Sequence, residues 1–329
     1  MTYPLNKSIY TDTPDVEPTR AGYGRGLKLA GEVDARVVAL CADLTESTQM
    51  HLFREAFPDR FVEVGIAEQN LVTVASGMAR AGKIPFTSSY AAFSPGRNWE
   101  QIKTTVALNN QPVKIIGSHA GLYTGKDGAT HQMLEDIAIT RVMPNMVVIA
   151  PGDSLEAEKA TLEMAQNNQP TYMRLAREKT PIFSTPESPF KIGEAYVLRK
   201  GTSLSLMGTG TMTAKLLTVA NLLADIGIDA EVVHVPTIKP IDEATILASA
   251  RRTGRVVTAE EAQIAGGFGS AIAELLSDRL PMPVKRLGMQ DRYGESGDPK
   301  DLFDKFNLTA DKMFETIKQW AEETYRYHQ

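Results

Sequence analysis

Beyond residue 20 the apolar positions of the chain follow two alternating rhythms. Short β-branched runs such as Val37–Cys41 suit strands buried on both faces, and longer stretches with apolar residues three and four apart suit helices packed on one side. The pattern predicts a helix over 21–31, strands over 37–41 and 61–64, and a helix over 67–81 with Leu71, Val74, Ala75 and Met78 on one face. Strands follow at 83–88, 113–117 and 147–150, with helices near 97–109, 131–140 and 153–167. Strands alternating with helices of this length predict a parallel sheet covered on both faces.

The flanking segments divide the chain further. Residues 1–18 carry three prolines and no periodicity, and predict an extended N-terminal arm. A first domain spans 19–180, and 181–192, with Pro181, Pro186 and Pro189 among Ser and Thr, reads as a linker. A second α/β domain covers 193–329, with strands at 204–207, 230–235, 255–258 and 284–287 and helices at 213–226, 242–253, 268–279 and 309–325. The expected fold class is α/β, with two doubly wound domains built on parallel-type sheets. No fixed-period repeat or low-complexity tract interrupts it.

Charge and composition narrow the function. With 35 Lys+Arg against 40 Asp+Glu, the net charge of -5 argues against a nucleic-acid binder, which carries a basic surplus or stripe. Cys41 is the single cysteine, so an internal disulfide and a cysteine-based metal cluster are excluded. The N-terminus lacks a basic segment followed by an apolar core, and no apolar run approaches the ~20 residues that span a bilayer. The expectation is a cytoplasmic protein.

Three segments of the first domain are more polar or glycine-rich than a core requires. In Glu63-Val64-Gly65-Ile66-Ala67-Glu68-Gln69-Asn70, glycine after a strand permits a sharp turn that places Glu68 at a helix start. There it is either a solvated carboxylate stabilised by the helix dipole or a proton-sharing group in an apolar pocket. Loop 117–131 holds two of the five histidines, His119 and His131, together with Asp127 and four glycines. Such a loop suits a polar ligand and proton transfer near neutral pH, a metal site on those three side chains, or a plain turn with surface histidines. In the segment from Phe86 to Arg97, two aromatics three residues apart, Tyr90 and Phe93, either flank a flat heterocycle or belong to the core. In the second domain, Gly208-Thr209-Gly210-Thr211 and Gly266-Gly267-Phe268-Gly269 look like phosphate loops. Neither completes a known phosphate pattern, and tight strand-to-helix turns explain both.

Taken in order, these segments resemble the transketolase family from about Arg20 to the C-terminus. The resemblance rests on Asp43-Leu44-Thr45-Glu46-Ser47, then Gly65-Ile66-Ala67-Glu68, the aromatic segment, and His119 followed by Asp127-Gly128-Ala129-Thr130-His131. It implies a pyrimidine-binding domain of the thiamine-diphosphate fold joined to a transketolase C-terminal domain. It also implies that Glu68 hydrogen-bonds N1′ of the cofactor's aminopyrimidine, and by sharing a proton there helps the thiazolium C2 lose its own. Tyr90 and Phe93 pack on the pyrimidine, and Asp43 and Ile66 lie with the cofactor. Arg20, Ser47, His119 and Arg177 take the terminal phosphate of the sugar, with Arg174 as a substitute for Arg177. Asp127 and His131 bind the donor's hydroxyls, and His131 is a candidate for proton transfer.

Three departures qualify the resemblance. Pro95-Gly96 stands where the family often has a third aromatic, and Gln69 stands where transketolases commonly have an aromatic or His. Gly-Ile-Ala-Glu-Gln is also found in 1-deoxyxylulose-phosphate synthases and in β subunits of 2-oxoacid dehydrogenases, so both remain alternatives, as does an inactive regulatory or scaffold homologue. The largest departure is an absence: the family's Gly-Asp-Gly…Asn motif for the diphosphate and its metal is missing. The nearest strings, Pro151-Gly152-Asp153-Ser154 and Gly297-Asp298-Pro299, lack the partner glycine. The expectation is therefore a split enzyme, with an α2β2 assembly and a partner subunit carrying that motif and the ligands for Mg2+ or Ca2+. No metal ligand is assigned to this chain.

Overall fold

A computed structural model describes residues 3–326; residues 1–2 of the expected arm and 327–329 at the end of the second domain lie outside it. The strands are β1 (Val16–Glu17), β2 (Val37–Cys41), β3 (Phe61–Glu63), β4 (Ile84–Tyr90), β5 (Lys114–Ser118), β6 (Val147–Ile149), β7 (Thr171–Arg174), β8 (Thr180–Pro181), β9 (Tyr196–Arg199), β10 (Leu204–Gly208), β11 (Ala230–His234), β12 (Thr237–Lys239), β13 (Val256–Gln263) and β14 (Val284–Met289). The helices are α1 (Thr19–Val33), α2 (His51–Ala56), α3 (Glu68–Arg80), α4 (Trp99–Gln101), α5 (Asp136–Arg141), α6 (Ser154–Gln166), α7 (Met212–Asp225), α8 (Glu243–Thr253), α9 (Phe268–Arg279), α10 (Pro299–Lys305) and α11 (Ala310–Arg326).

Seven strands form one sheet in the order β12-β6-β7-β5-β4-β2-β3, parallel except for β12 against β6. Five form another, β14-β13-β10-β11-β9, parallel except for β9 against β11. The α/β class with parallel-dominated sheets is therefore present as the sequence rhythm predicts. The strand period of two is visible in β2. Val37, Ala39 and Cys41 face α1 and α6 with Tyr23, Leu27 and Met164, while Val38 and Leu40 face α3 with Leu71, Val72 and Ala75. The second face's cluster continues into Met207, Val233, Ile246 and Phe268 of the second unit, so one apolar core joins the two sheets.

Four features differ from the pattern in the sequence. The expected arm is not simply extended: a short 3-10 turn, Lys7–Tyr10, is followed by β1, which pairs with β8. Tyr3 and Ile9 are buried, and Tyr3 rests 5.3 Å from the Tyr196 ring. β12 follows the expected linker in sequence yet completes the first sheet. Pro236 ends the preceding strand, because proline has no N–H for the ladder, and its carbonyl accepts from Ala150 of the first sheet. The helix expected near 97–109 is the single turn α4 continued by a π-helical stretch, Ile102–Ala107, which buries Ile102, Val106 and Ala107. The helix expected over 131–140 begins only at Asp136. The preceding residues stay in a loop pinned where His131 N–H donates to the Gly128 carbonyl and Met133 bridges to Ala120.

Helix α1 persists despite its four glycines because it lies against α6 at close range. A Cβ on Gly22 would stand 1.8 Å from the Ser154 carbonyl oxygen, and one on Gly26 would stand 2.8 Å from that of Glu158. Burial against α6 offsets the ~1 kcal/mol that each helical glycine costs relative to alanine. This contact fixes the start of α1, and with it Arg20.

Candidate active site

Most of the residues singled out above lie just beyond the carboxyl ends of β2, β3, β4, β5 and β7, where parallel α/β sheets place their ligand clefts. Glu68 begins α3 and is only 3% exposed. Its Oε2 accepts from Arg97 Nη1 at 2.9 Å, and its backbone carbonyl accepts from Asn98 Nδ2 at 2.8 Å. Phe93 stands beside this pair, with the Arg97 guanidinium carbon 4.7 Å from its ring centroid. Tyr90 stacks on Phe93 at 6.0 Å and on His119 at 3.8 Å, while His131 meets Phe93 edge-on at 5.4 Å. Tyr90, Phe93, His119 and His131 thus form one aromatic wall. Neither Tyr90 nor Phe93 is fully buried, as it would be in a core.

The loops after β2 and β3 are held together by Glu63. Its Oε1 accepts from the Asp43 and Gly65 N–H groups at 2.8 and 2.9 Å, and its Oε2 from Thr45 Oγ1 at 3.1 Å. Asp43 adopts a left-handed φ of 57°, a conformation that Asp tolerates better than most residues. Its side chain is exposed, as is Ile66, at 75%. Asp43 is tied to the Glu68 loop through Glu63, and Ile66 lies two residues before Glu68 in that loop.

Across the wall lies a cationic corner. Arg20 donates from Nε to the Arg177 carbonyl at 3.0 Å and from Nη1 to the Ser47 carbonyl at 2.6 Å. The Ser47 backbone, rather than its hydroxyl, therefore orients Arg20. Burial, and then the nearby Arg177 charge, push the Arg20 pKa down from its ordinary value. Two guanidinium groups held this close are an arrangement that an anion would stabilise. Arg177 donates to the Thr124 carbonyl at 2.9 Å and lies 3.4 Å from Asp127 Oδ2. His119, with φ 56°, is buried beside them, and its Nδ1 shares a hydrogen bond of 2.9 Å with Ser118 Oγ. Burial first, and the charges of Arg20, Arg177 and His131 after it, lower its pKa to about 3, so the ring is neutral at pH 7.

That depression has a consequence for stability. Between the unfolded pKa near 6.5 and the folded value near 3, the unfolded chain binds a proton at His119 that the folded chain refuses, so acid weakens the fold over that window. His119→Gln is expected to remove up to ~1.4 kcal/mol of acid sensitivity per pH unit below 6.5. Urea unfolding at pH 7.5 and 5 checks this; equal pH dependence in the two proteins would contradict it.

His131 is half-buried, and its Nδ1 shares a 2.9 Å hydrogen bond with Thr130 Oγ1, so that bond does not use Nε2. His119, Asp127 and His131 do not converge. Among the described residues, no group of three or more His, Cys, Asp or Glu side chains is placed to hold a metal ion. The metal reading of this loop therefore has no geometric support.

Arg174, the substitute for Arg177, points elsewhere. Its Nε donates to Asp136 Oδ2 at 2.8 Å and its Nη2 to the Glu261 carbonyl at 2.7 Å, with the side chain 10% exposed. It ties the end of β7 to Asp136 and Glu261, and both its Nε and its Nη2 are taken by these contacts. The glycine loops of the second unit are also filled from within. Glu260 accepts from the N–H groups of Phe268 and Gly269 at 2.7 and 2.8 Å, and Gly210 N–H donates to the Ala150 carbonyl at 3.0 Å. A carboxylate sits where a phosphate would have to sit. Arg97, Asn98 and Glu63 are site residues to which the sequence motifs assign no role, although Glu63 opens the Glu68 segment. Arg97 closes the aromatic segment and Asn98 follows it, which is the available signal.

Residues 17–182 match the family described as transketolase, pyrimidine binding domain, and residues 193–313 match transketolase, C-terminal domain. The chain belongs to the transketolase family. The "6-deoxy-6-sulfo-D-fructose transketolase subunit SqwH" of Clostridium sp. (strain MSTE9) is 40% identical over 289 residues, 88% of this chain and 90% of that one. The "putative transketolase C-terminal section" of Methanocaldococcus jannaschii is 41% identical over 303 residues, 91% of this chain and 95% of that one. A solved structure described as "split gene transketolase, inactive beta4 tetramer" superposes with a TM-score of 0.86 at 42% identity, covering 92% of this chain and 97% of that one. Transketolases depend on thiamine diphosphate, and the site fits the pyrimidine half of that cofactor. A buried carboxylate at a helix start beside flat aromatic rings is a set of groups that a planar nitrogen heterocycle can use.

Proposed function

We propose that this chain is the C-terminal subunit of a two-chain transketolase, moving a two-carbon ketol unit from a ketose phosphate to an aldose phosphate. The observation that carries the reading is the buried Glu68 at the start of α3 beside Tyr90 and Phe93, with the Arg20–Arg177 corner across the same wall. Bound thiamine diphosphate supplies a nucleophilic carbon that accepts the two-carbon unit. Glu68 holds and shares a proton with N1′ of the aminopyrimidine, and Tyr90 and Phe93 fix the ring by packing on it. Asp43 and Ile66, exposed in this chain, lie on the cofactor side of the loops that follow β2 and β3. Arg20 and Arg177 clamp the sugar's terminal anion, with Ser47 and the neutral His119 as hydrogen-bonding neighbours. Asp127 and His131 take the donor hydroxyls, and His131 Nε2 moves a proton at the reacting carbons.

The diphosphate and its Mg2+ or Ca2+ belong, in this reading, to a partner subunit carrying the Gly-Asp-Gly…Asn motif, in an α2β2 assembly. The relatives named as a C-terminal section and as a transketolase subunit support the two-chain arrangement. Among the described residues no helix is long and apolar enough to cross a membrane. Two cationic side chains beside a buried His suit a terminal dianion better than they suit a 2-oxo acid. The Clostridium relative, by its name, handles a sugar ending in a sulfonate, another anion that this corner would accept.

The functional test is the product of the reconstituted pair. Two-carbon transfer from a ketose phosphate to an aldose phosphate is the expected result; decarboxylation of a 2-oxo acid without such transfer would overturn it. Within that assay, Arg177→Ala is expected to lower kcat/KM for a phosphorylated donor by roughly 10- to 150-fold more than for the unphosphorylated ketose. That corresponds to the loss of one charge-assisted contact of roughly 1.5–3 kcal/mol. Ser47→Ala, which keeps the carbonyl that orients Arg20, is expected to show a smaller effect in the same direction. Equal losses on both donors would place these residues away from the anion.

A further inference from the structure

The ion pair on Glu68 is not part of the reading above, although it rests on it. Arg97 donates from Nη1 to Glu68 Oε2 at 2.9 Å, and its guanidinium carbon lies 4.7 Å from the Phe93 centroid. A flat, cationic, N–H-donating group therefore occupies the aromatic wall and the carboxylate at once, the two features assigned to the aminopyrimidine. Arg97 follows Pro95-Gly96, the segment in which the family's third aromatic is missing. The two partners differ in freedom: Glu68 is 3% exposed and Arg97 is 50% exposed. Only the arginine can swing away without opening the fold.

We propose that Arg97 is a latch that fills the pyrimidine slot of the unpaired chain and must leave before Glu68 can work on the cofactor. The chemistry makes the two states exclusive. The ion pair requires Glu68 as a carboxylate, whereas sharing a proton with a ring nitrogen requires the same group protonated for part of the time. An arginine that stayed on Oε2 would oppose that sharing. Stacking on Phe93 holds the guanidinium in place while the slot has no other occupant. Arg97 is thus a gating residue acting through Glu68, and it keeps the carboxyl inactive until partner and cofactor arrive together.

The probe is thiamine, which carries both rings but no phosphate, so its binding does not depend on the partner's diphosphate site. Full-length wild type, Arg97→Gln, Arg97→Lys, Glu68→Gln and the Arg97→Gln/Glu68→Gln double variant are titrated by calorimetry and by saturation-transfer NMR at millimolar ligand. Arg97→Gln is expected to bind thiamine about three- to tenfold more tightly than wild type, the effect of removing a competing half-exposed ion pair. Arg97→Lys, which keeps the charge but not the planar stack, should gain less. The gain should vanish in the double variant, because no carboxylate remains to be freed. Equal or weaker binding by Arg97→Gln, with binding still dependent on Glu68, would make Arg97 a fixed wall of the pocket and overturn the latch alone. Thiamine binding that ignores Glu68, or that no variant shows, would overturn both the latch and the assignment of Glu68 to the pyrimidine.

Discussion

Titrated with thiamine diphosphate and Mg2+, the chain alone is expected to bind at least about a hundredfold more weakly than the reconstituted pair, and without dependence on the metal. A hundredfold difference corresponds to ~2.7 kcal/mol, a modest demand for a site that recognises a diphosphate and its metal. The sequence lacks the family's Gly-Asp-Gly motif for that end of the cofactor. Among the described residues no cluster of three acidic or histidine side chains is placed for a metal. The N–H groups of Phe268 and Gly269 already serve Glu260, and that of Gly210 serves the Ala150 carbonyl. Glu68, the proposed partner of the pyrimidine, is itself held by Arg97. Ketol transfer should be absent until the partner is added. Tight, metal-dependent binding to the isolated chain would end the two-chain reading.

Much of this architecture is written locally in the sequence. Alternating strand and helix rhythms carry the α/β class, because a two-sided parallel sheet needs apolar residues on both faces of each strand, as at Val37–Cys41. The position of Glu68 at a helix start is also local, set by a glycine turn after a short strand. What the sequence does not carry is which distant groups meet. Arg174 and Arg177 are three residues apart and equally basic, yet one is buried against Asp136 and Glu261 while the other faces Arg20 and Asp127. Strand order and side-chain direction decide that, and neither has a sequence period. The same holds for β12, whose membership of the first sheet depends on a crossing between units. The partner of Glu68 lies 29 residues away, at the end of the aromatic segment, where nothing local shows that it turns back to the carboxylate.

Glu68→Gln is expected to lower turnover of the reconstituted complex by roughly 10²- to 10⁴-fold, the range for loss of a positioned proton-transfer group. Assembly should survive. Gln has nearly the same shape, can still meet Arg97 through its amide oxygen, and leaves the Asn98 bond to the backbone carbonyl intact. Affinity should change much less than rate, because Glu68 anchors neither the diphosphate nor the sugar's terminal anion; its contribution lies in the proton it shares at the ring nitrogen. The decisive measurement is hydrogen–deuterium exchange at C2 of thiamine diphosphate bound to the reconstituted complex, read together with the cofactor's dissociation constant. The account predicts exchange slowed by at least about a hundredfold in Glu68→Gln, with the dissociation constant shifted by less than about tenfold. Exchange at the wild-type rate would show that Glu68 is only a buried helix-start carboxylate and that the catalytic assignment of this chain is wrong.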